Sequence, residues 1–200
     1  MKKILFAAIP VLAIAAAVQM PIEPLPLGSD LPKAEVKMKD VSGKEISLRE
    51  VKTDKGLLVM FSCNTCPYVI KNQSRTYEIC KYAMGSGLGV AVLNSNEAKR
   101  GDDDSYEEMK AYAKEQGYGW HYLVDQQSAL ADAFGANRTP ECFLFDGKGK
   151  LVYHGAIDDN PNDAGAVSRK HLRMAVDEVL NGKDVTIKQS KSVGCGIKRL

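Results

Sequence analysis

The chain has 200 residues, 44% hydrophobic and 26% charged, which are proportions of a globular protein large enough to bury one core without staples. Its formal net charge of +2 and scattered basic residues, apart from Lys198-Arg199, give no ground for nucleic acid or an acidic membrane as a partner. Five cysteines are an odd number, so at least one stands outside any intramolecular disulfide, and the chain is not a disulfide scaffold.

Residues Met1 to Met20 have the pattern of a secretory signal: Lys2 and Lys3, the apolar stretch Ile4 to Val18, and Ala15-Ala16-Ala17 as a cleavage site. The apolar stretch is shorter than the roughly 20 residues of a spanning helix, although an uncleaved N-terminal anchor is the alternative. Residues 1–17 are thus expected to be removed. Residues 18–200 then form a single domain outside the cytoplasm, with no stable membrane insertion and a polar tail from about residue 181.

Pro21, Pro24, Pro26 and Pro32 mark an extended lead-in. Glu35 to Met38 and Glu45 to Leu48 flank the turn Val41-Ser42-Gly43-Lys44, which predicts a hairpin. Ser47 with Glu50 predicts a capping box. Leu57 to Phe61 is an apolar run of strand length, followed at once by Cys63-Asn64-Thr65-Cys66 and a helix from Pro67. Val69, Tyr77, Cys80 and Met84 are the expected apolar face of that helix, and Gly85 to Gly89 ends it.

Val90 to Leu93 is the next strand, opening into Asn94-Ser95-Asn96 and the acidic run Asp102-Asp103-Asp104. That run is expected to be a solvated loop favouring the next helix start, and Asn94 to Asn96 either touch substrate or make an ordinary turn. Ser105 with Glu108 starts a helix through Glu115. Tyr122 to Val124 is a strand, Ser128 to Phe134 a helix, and Arg138-Thr139-Pro140 precedes the strand Cys142 to Phe145. A Gly147-Lys148-Gly149 turn joins it to Leu151 to His154. Ser168 is expected to cap a last helix with Leu172, Ala175, Val176, Val179 and Leu180 on its apolar face. Strands alternating with helices, then a hairpin and a helix, predict an α/β domain with a central sheet covered on both faces.

Two cysteines at a strand-to-helix turn suit redox chemistry, because unpaired N–H groups at a helix start stabilise a thiolate. The pattern of strand, Cys-x-x-Cys and later Thr-Pro resembles the thioredoxin fold, a central mixed β-sheet with helices on both faces, here with an N-terminal β-hairpin extension. A narrower match runs through Phe61 to Pro67, Leu93 to Asn96, Asp104-Ser105 with Glu108-Met109, Thr139-Pro140-Glu141, Phe143 to Asp146 and Leu151 to Gly155. These segments, with the ending Gly194-Cys195-Gly196-Ile197-Lys198, are similar to a bacterial branch of the alkyl hydroperoxide reductase and thiol-specific antioxidant (redoxin) family.

The resemblance implies a cis Pro140, with Thr139 and Pro140 shaping the substrate groove. It also implies thiol–disulfide exchange in which Cys63 attacks and Cys66 resolves, with no bound cofactor or metal. The partners would be proteins or small molecules bearing dithiols or disulfides. Thioredoxin's buried carboxylate on the strand before Cys-x-x-Cys is missing, since Leu57 to Phe61 offers none, and its Gly-Pro dipeptide and preceding Trp are replaced by Asn64-Thr65 and Ser62.

Three alternatives stand beside this reading. In a peroxiredoxin-like peroxidase Cys66 would be the peroxidatic cysteine, Cys63 would resolve it, and Arg138 would be the candidate arginine. In a copper chaperone His121, His154 or His171 would join the two thiolates. Cys63 and Cys66 would otherwise be half of a zinc site, which wants a second ligand pair. Cys195 is either a third redox thiol on a flexible tail or an unpaired surface cysteine in a frayed terminus. Cys80 and Cys142 are expected in the core.

Overall fold

A computed structural model of the chain describes residues 22–200; the expected signal segment lies outside the described residues. The elements in order are β1 (Met38–Lys39), β2 (Glu45–Ile46), α1 (Leu48–Val51), β3 (Leu57–Ser62), α2 (Pro67–Gly85), β4 (Gly89–Asn94), α3 (Tyr106–Glu115), β5 (His121–Val124), α4 (Ala129–Phe134), β6 (Arg138–Thr139), β7 (Glu141–Phe145), β8 (Leu151–Gly155), α5 (His171–Leu180) and β9 (Cys195–Gly196).

The central sheet has the order β5-β4-β3-β7-β8. β3, β4 and β5 run parallel, while β7 is antiparallel to both β3 and β8. β3 is buried along its whole length, as a strand with both faces covered must be. Its side chains divide by the two-residue period of a strand. Leu58 and Met60 join Ile79 and Cys80 of α2, Met109 of α3 and Leu172 of α5 on one face. Leu57, Val59 and Phe61 join Leu48 of α1 and Leu130 and Phe134 of α4 on the other. The N-terminal hairpin pairs Met38 with Ile46 and Lys39 with Glu45.

The Ser47–Glu50 capping box forms in full: Glu50 accepts the Ser47 N–H at 2.7 Å and the Glu50 N–H reaches the Ser47 hydroxyl oxygen at 3.4 Å. Ser105 accepts the Glu108 N–H at 3.3 Å and so caps α3. α2 starts on Pro67, where the missing N–H costs nothing, with Cys66 as its N-cap. Gly87, at φ +92°, then turns the chain toward β4.

Several local expectations are corrected. The buried stripe of α2 is Val69, Asn72, Thr76, Ile79, Cys80 and Ala83, whereas Tyr77 and Met84 are 37% and 42% exposed. Val69 and Cys80 lie on that stripe as expected, and the polar Asn72 and Thr76 take inner positions in place of Tyr77 and Met84. Asn72 is fit for that place because its side-chain amide donates to the carbonyls of Tyr68 and Pro161, at 2.7 and 3.2 Å. α5 starts at His171 with Lys170 as N-cap, not at Ser168, whose N–H is taken by Asp159. Ser128 is left-handed, at φ +54°, and precedes α4, whose first N–H groups are capped by Asp125.

The largest correction concerns the tail. Far from fraying, it runs back over the sheet: Lys188 and Ser190 exchange backbone hydrogen bonds with His154, and Cys195–Gly196 forms β9 against β6. Ile197 is buried in the second core cluster.

Candidate active site

β3 delivers Cys63 at its C-terminal end, and α2 begins immediately after Cys66, so the intervening turn places both thiols at one edge of the sheet. Each is almost fully covered, Cys63 at 2% and Cys66 at 4% exposure. The Thr139–Pro140 peptide bond is cis, as the resemblance implied. Thr139 meets both sulfurs: its hydroxyl lies 3.4 Å from Cys63 Sγ, and its carbonyl oxygen accepts from the Cys66 thiol at 3.2 Å. Val69, Tyr68 and Cys195 complete this small cluster.

The two thiols are not equivalent. Cys66 is drawn down to about 4, first by its hydrogen bond with Cys63, then by hydrogen bonds from the Cys195 side chain and from the backbone N–H groups of Val69 and Cys195, against the opposing effect of burial. Cys63 is pushed well up by donating to Cys66, by burial and by the negative charge of Asp104. The pair thus shares one proton, held on Cys63, with the charge on Cys66 at the start of α2. The Thr139 carbonyl is the one contact here that prefers Cys66 protonated.

Asp104 holds the turn from below. It is fully buried and accepts three hydrogen bonds: from the Asn64 backbone N–H at 2.9 Å, Asn94 Nδ2 at 2.7 Å and Asn96 Nδ2 at 2.8 Å. The Asn64 side chain is fixed as well, donating to the Asp103 carbonyl at 2.8 Å and accepting from the Tyr122 hydroxyl at 2.8 Å. Asn96 turns its own Oδ1 to the Lys198 N–H at 2.8 Å. The acidic run is therefore not wholly a solvated loop, and Asn94 to Asn96 are neither a free turn nor exposed: Asp104 and the asparagines are the frame of the Cys-x-x-Cys turn. A buried carboxylate is present after all, supplied from beyond β4 instead of from β3. The sequence signal was an Asp-Asp-Asp run whose third member precedes a capping Ser, and nothing in it marked Asp104 as the buried one.

Glu141 performs a similar service on the other side. It accepts the N–H groups of Asn137 and Arg138 at 2.7 and 2.9 Å with one oxygen, and meets His154 Nε2 at 2.7 Å with the other. That fixes the backbone leading into Thr139. Arg138 points its guanidinium to the Gly194 carbonyl at 3.2 Å, so the charge on Cys66 rests on hydrogen bonds and not on a guanidinium. His154 is taken up by Glu141, and His121 lies 3.6 Å from Asp40. Among the described residues no group of three or more His, Cys, Asp and Glu side chains is arranged to hold a metal ion. Cys80 and Cys142 are fully buried in the first core cluster.

A paired-thiol turn whose sulfurs meet the threonine of a cis Thr-Pro peptide, on a five-stranded mixed sheet, defines a thioredoxin-like protein. The chain belongs to the Redoxin family, whose model matches residues 26–169. A hypothetical protein from Sinorhizobium meliloti is 37% identical, with 89% of this chain and 97% of that one covered and a TM-score of 0.81. An uncharacterized conserved protein from Geobacillus kaustophilus is also 37% identical, covering 88% of this chain and 93% of that one at a TM-score of 0.81. The fold is shared with the thioredoxin domain of a thiol-disulfide oxidoreductase from Bacteroides vulgatus, 21% identical over 65% of this chain and 88% of that one, TM-score 0.54. No curated protein matches.

Proposed function

We propose that this protein is a thiol–disulfide oxidoreductase in which Cys63 and Cys66 alternate between dithiol and disulfide. The observation that carries the reading is the pair of buried sulfurs at the start of α2, both meeting Thr139 of the cis Thr139–Pro140 peptide, with ionisation favoured on Cys66 and disfavoured on Cys63. Sequence resemblance gave the attack to Cys63. The division of charge favours the reverse order, because exchange proceeds through the thiolate and Cys66 is the sulfur whose charge is stabilised.

In this mechanism Cys66 Sγ attacks one sulfur of a substrate disulfide, and the other substrate sulfur leaves as a thiolate and takes up a proton. Cys63 gives up its proton and displaces the bound substrate sulfur from Cys66. The Cys63–Cys66 disulfide forms, and the substrate departs with both thiols and two electrons. Run backwards, the same steps oxidise a partner dithiol. The substrates are protein or small-molecule thiols and disulfides, and the chemistry needs no bound cofactor. The secretory pattern of residues 1–17 supports work outside the cytoplasm, and among the described residues no helix is long and apolar enough to cross a membrane.

The test is stopped-flow oxidation of the reduced protein by oxidised glutathione and, separately, by hydrogen peroxide. Ready exchange with the disulfide and slow reaction with peroxide are expected. Fast peroxide turnover with a sulfenic acid trapped on Cys66 in Cys63→Ser would replace this reading with a peroxidase. In exchange, Cys63→Ser combined with Cys195→Ser should accumulate a mixed disulfide on Cys66. If Cys66→Ser traps the substrate on Cys63 instead, the order of attack is the one the resemblance implied.

A further inference from the structure

Cys66 is in contact with two other thiols. Cys63 comes from the same turn, and Cys195 is brought there by the tail; both hydrogen-bond with Cys66. β9 pairs antiparallel with β6, with Cys195 directly opposite Thr139, the same residue that touches Cys63 and Cys66. The chain fits there only because residue 194 is glycine: a Cβ at Gly194 would stand 2.2 Å from the Thr139 carbonyl oxygen and 2.8 Å from its carbon. Beyond Cys195 the tail is anchored repeatedly. The Ile197 N–H donates to the Asn137 carbonyl at 3.1 Å, the Lys198 N–H to Asn96 at 2.8 Å, and Arg199 pairs with Asp132 at 2.8 Å. Cys195 is half-buried, more open to solvent than either thiol it covers. It also lies past residue 169, where the match to the Redoxin family ends.

We propose that Cys195 is a third exchange thiol, and that Cys66 is the sulfur shared by two mutually exclusive disulfides, Cys63–Cys66 and Cys66–Cys195. The proposal rests on the exchange chemistry given above. Starting from the Cys63–Cys66 disulfide, Cys195 loses its proton to water and its sulfur bonds to Cys66 Sγ. The Cys63–Cys66 bond breaks, and Cys63 leaves with the electron pair and is protonated. Nothing is oxidised or reduced overall; the disulfide moves from a covered position to the tail. A partner dithiol then supplies two electrons to Cys66–Cys195 and leaves as a disulfide, returning all three cysteines to thiols. The tail that closes the site therefore carries the thiol through which the site is emptied.

The experiment is disulfide mapping on the full chain, reduced and then treated with one equivalent of oxidised glutathione, quenched in acid and alkylated. Trypsin separates residues 56–71, which hold Cys63 and Cys66, from residues 192–198, which hold Cys195. Wild type is expected to give both the internal disulfide and the cross-linked pair of peptides. Cys63→Ser is expected to give the Cys66–Cys195 cross-link as its main product, and Cys66→Ser none. In Cys63→Ser, adding Gly194→Ala should slow cross-linking about a hundredfold by displacing the tail, with unchanged circular dichroism showing that the fold is kept. No cross-link in Cys63→Ser, while wild type still forms Cys63–Cys66, overturns the inference and leaves the oxidoreductase reading intact. A Cys63–Cys195 cross-link in Cys66→Ser overturns the assignment of Cys66 as the shared sulfur. Failure of wild type to form Cys63–Cys66 at all overturns the oxidoreductase reading itself.

Discussion

Asp104 accepts the backbone N–H of Asn64 at 2.9 Å, which ties a buried carboxylate to the first of the two residues between the cysteines. Through the same carboxylate the turn is joined to Asn94 at the end of β4 and to Asn96, and through Asn96 to the backbone of Lys198 in the tail. One side chain thus sets the position of the reactive turn, adds to the electrostatic bias against a thiolate on Cys63, and helps register the segment that covers both.

Asp104→Asn should therefore do two things at once. An amide presents an NH₂ to some of the three donors that now face carboxylate oxygens, and buried donors left unpaired cost about 1–3 kcal/mol each. A loss of about 2–3 kcal/mol in urea unfolding of the reduced protein is expected. Removing the negative charge should also lower the pKa of Cys63, read from thiolate absorbance at pH values above the ordinary thiol range. An unchanged Cys63 titration in a variant that is destabilised would show that Asp104 only holds the turn and does not bias its charge.

The shared proton predicts an unusual pH dependence of the reduction potential. Above about 4, where Cys66 has lost its proton, and below the raised value of Cys63, reduction of the disulfide takes up two electrons but one proton. The potential should then fall by about 30 mV per pH unit, half the roughly 59 mV expected when two protons accompany two electrons. Equilibration with glutathione buffers between pH 5 and pH 8 measures the slope, using Cys195→Ser so that a single disulfide is read. A slope near the two-proton value would mean that both thiols stay protonated and that Cys66 is not the resting thiolate.

Cys80 and Cys142 give a negative control within the same molecule. Both are fully buried, and burial alone is the leading cause that pushes each thiol up. A small aromatic disulfide reagent should therefore label Cys195 and the Cys63–Cys66 pair in the native protein and leave these two untouched. Their labelling should appear only in denaturant, at the rate of unfolding. Native-state labelling of Cys142 would show that the sheet opens locally near β7.

Much of this arrangement is legible in the sequence, because the strongest signals are local. Leu57 to Phe61 is a fully apolar run and Pro67 follows the second cysteine, so the sheet and the helix start can be placed from residue order, whereas the role of Thr139-Pro140 came from the family resemblance. What is not legible depends on contacts between distant segments. Asp104 looks like Asp102 and Asp103 until the ends of β3 and β4 bring Asn64, Asn94 and Asn96 around it. Asn72 and Thr76 are polar by type, yet they face inward on α2, and Tyr77 and Met84 take the outer side. The tail is the clearest case. Residues 181–200 are rich in Lys, Ser and Gly and lack a periodic pattern, and their order comes from backbone pairing with β6 and β8, which composition does not encode.

Ile197 is the one large apolar side chain that the last turn of the tail inserts into the core, against the cluster containing Leu130, Phe134 and Phe143. Truncating a buried Ile to Ala costs about 2–5 kcal/mol in a closed core, and at a chain end that cost is borne by the tail's docking rather than by the whole fold. Ile197→Ala should therefore leave global unfolding nearly unchanged while the backbone N–H groups of Ile197 and Lys198, now bonded to Asn137 and Asn96, exchange with deuterium faster. Cys66, 4% exposed beneath the tail, should become more reactive toward iodoacetamide in the same variant. Faster exchange without faster alkylation would show that the tail does not gate the thiols, and slower global unfolding than wild type would show that Ile197 is strained in its present site.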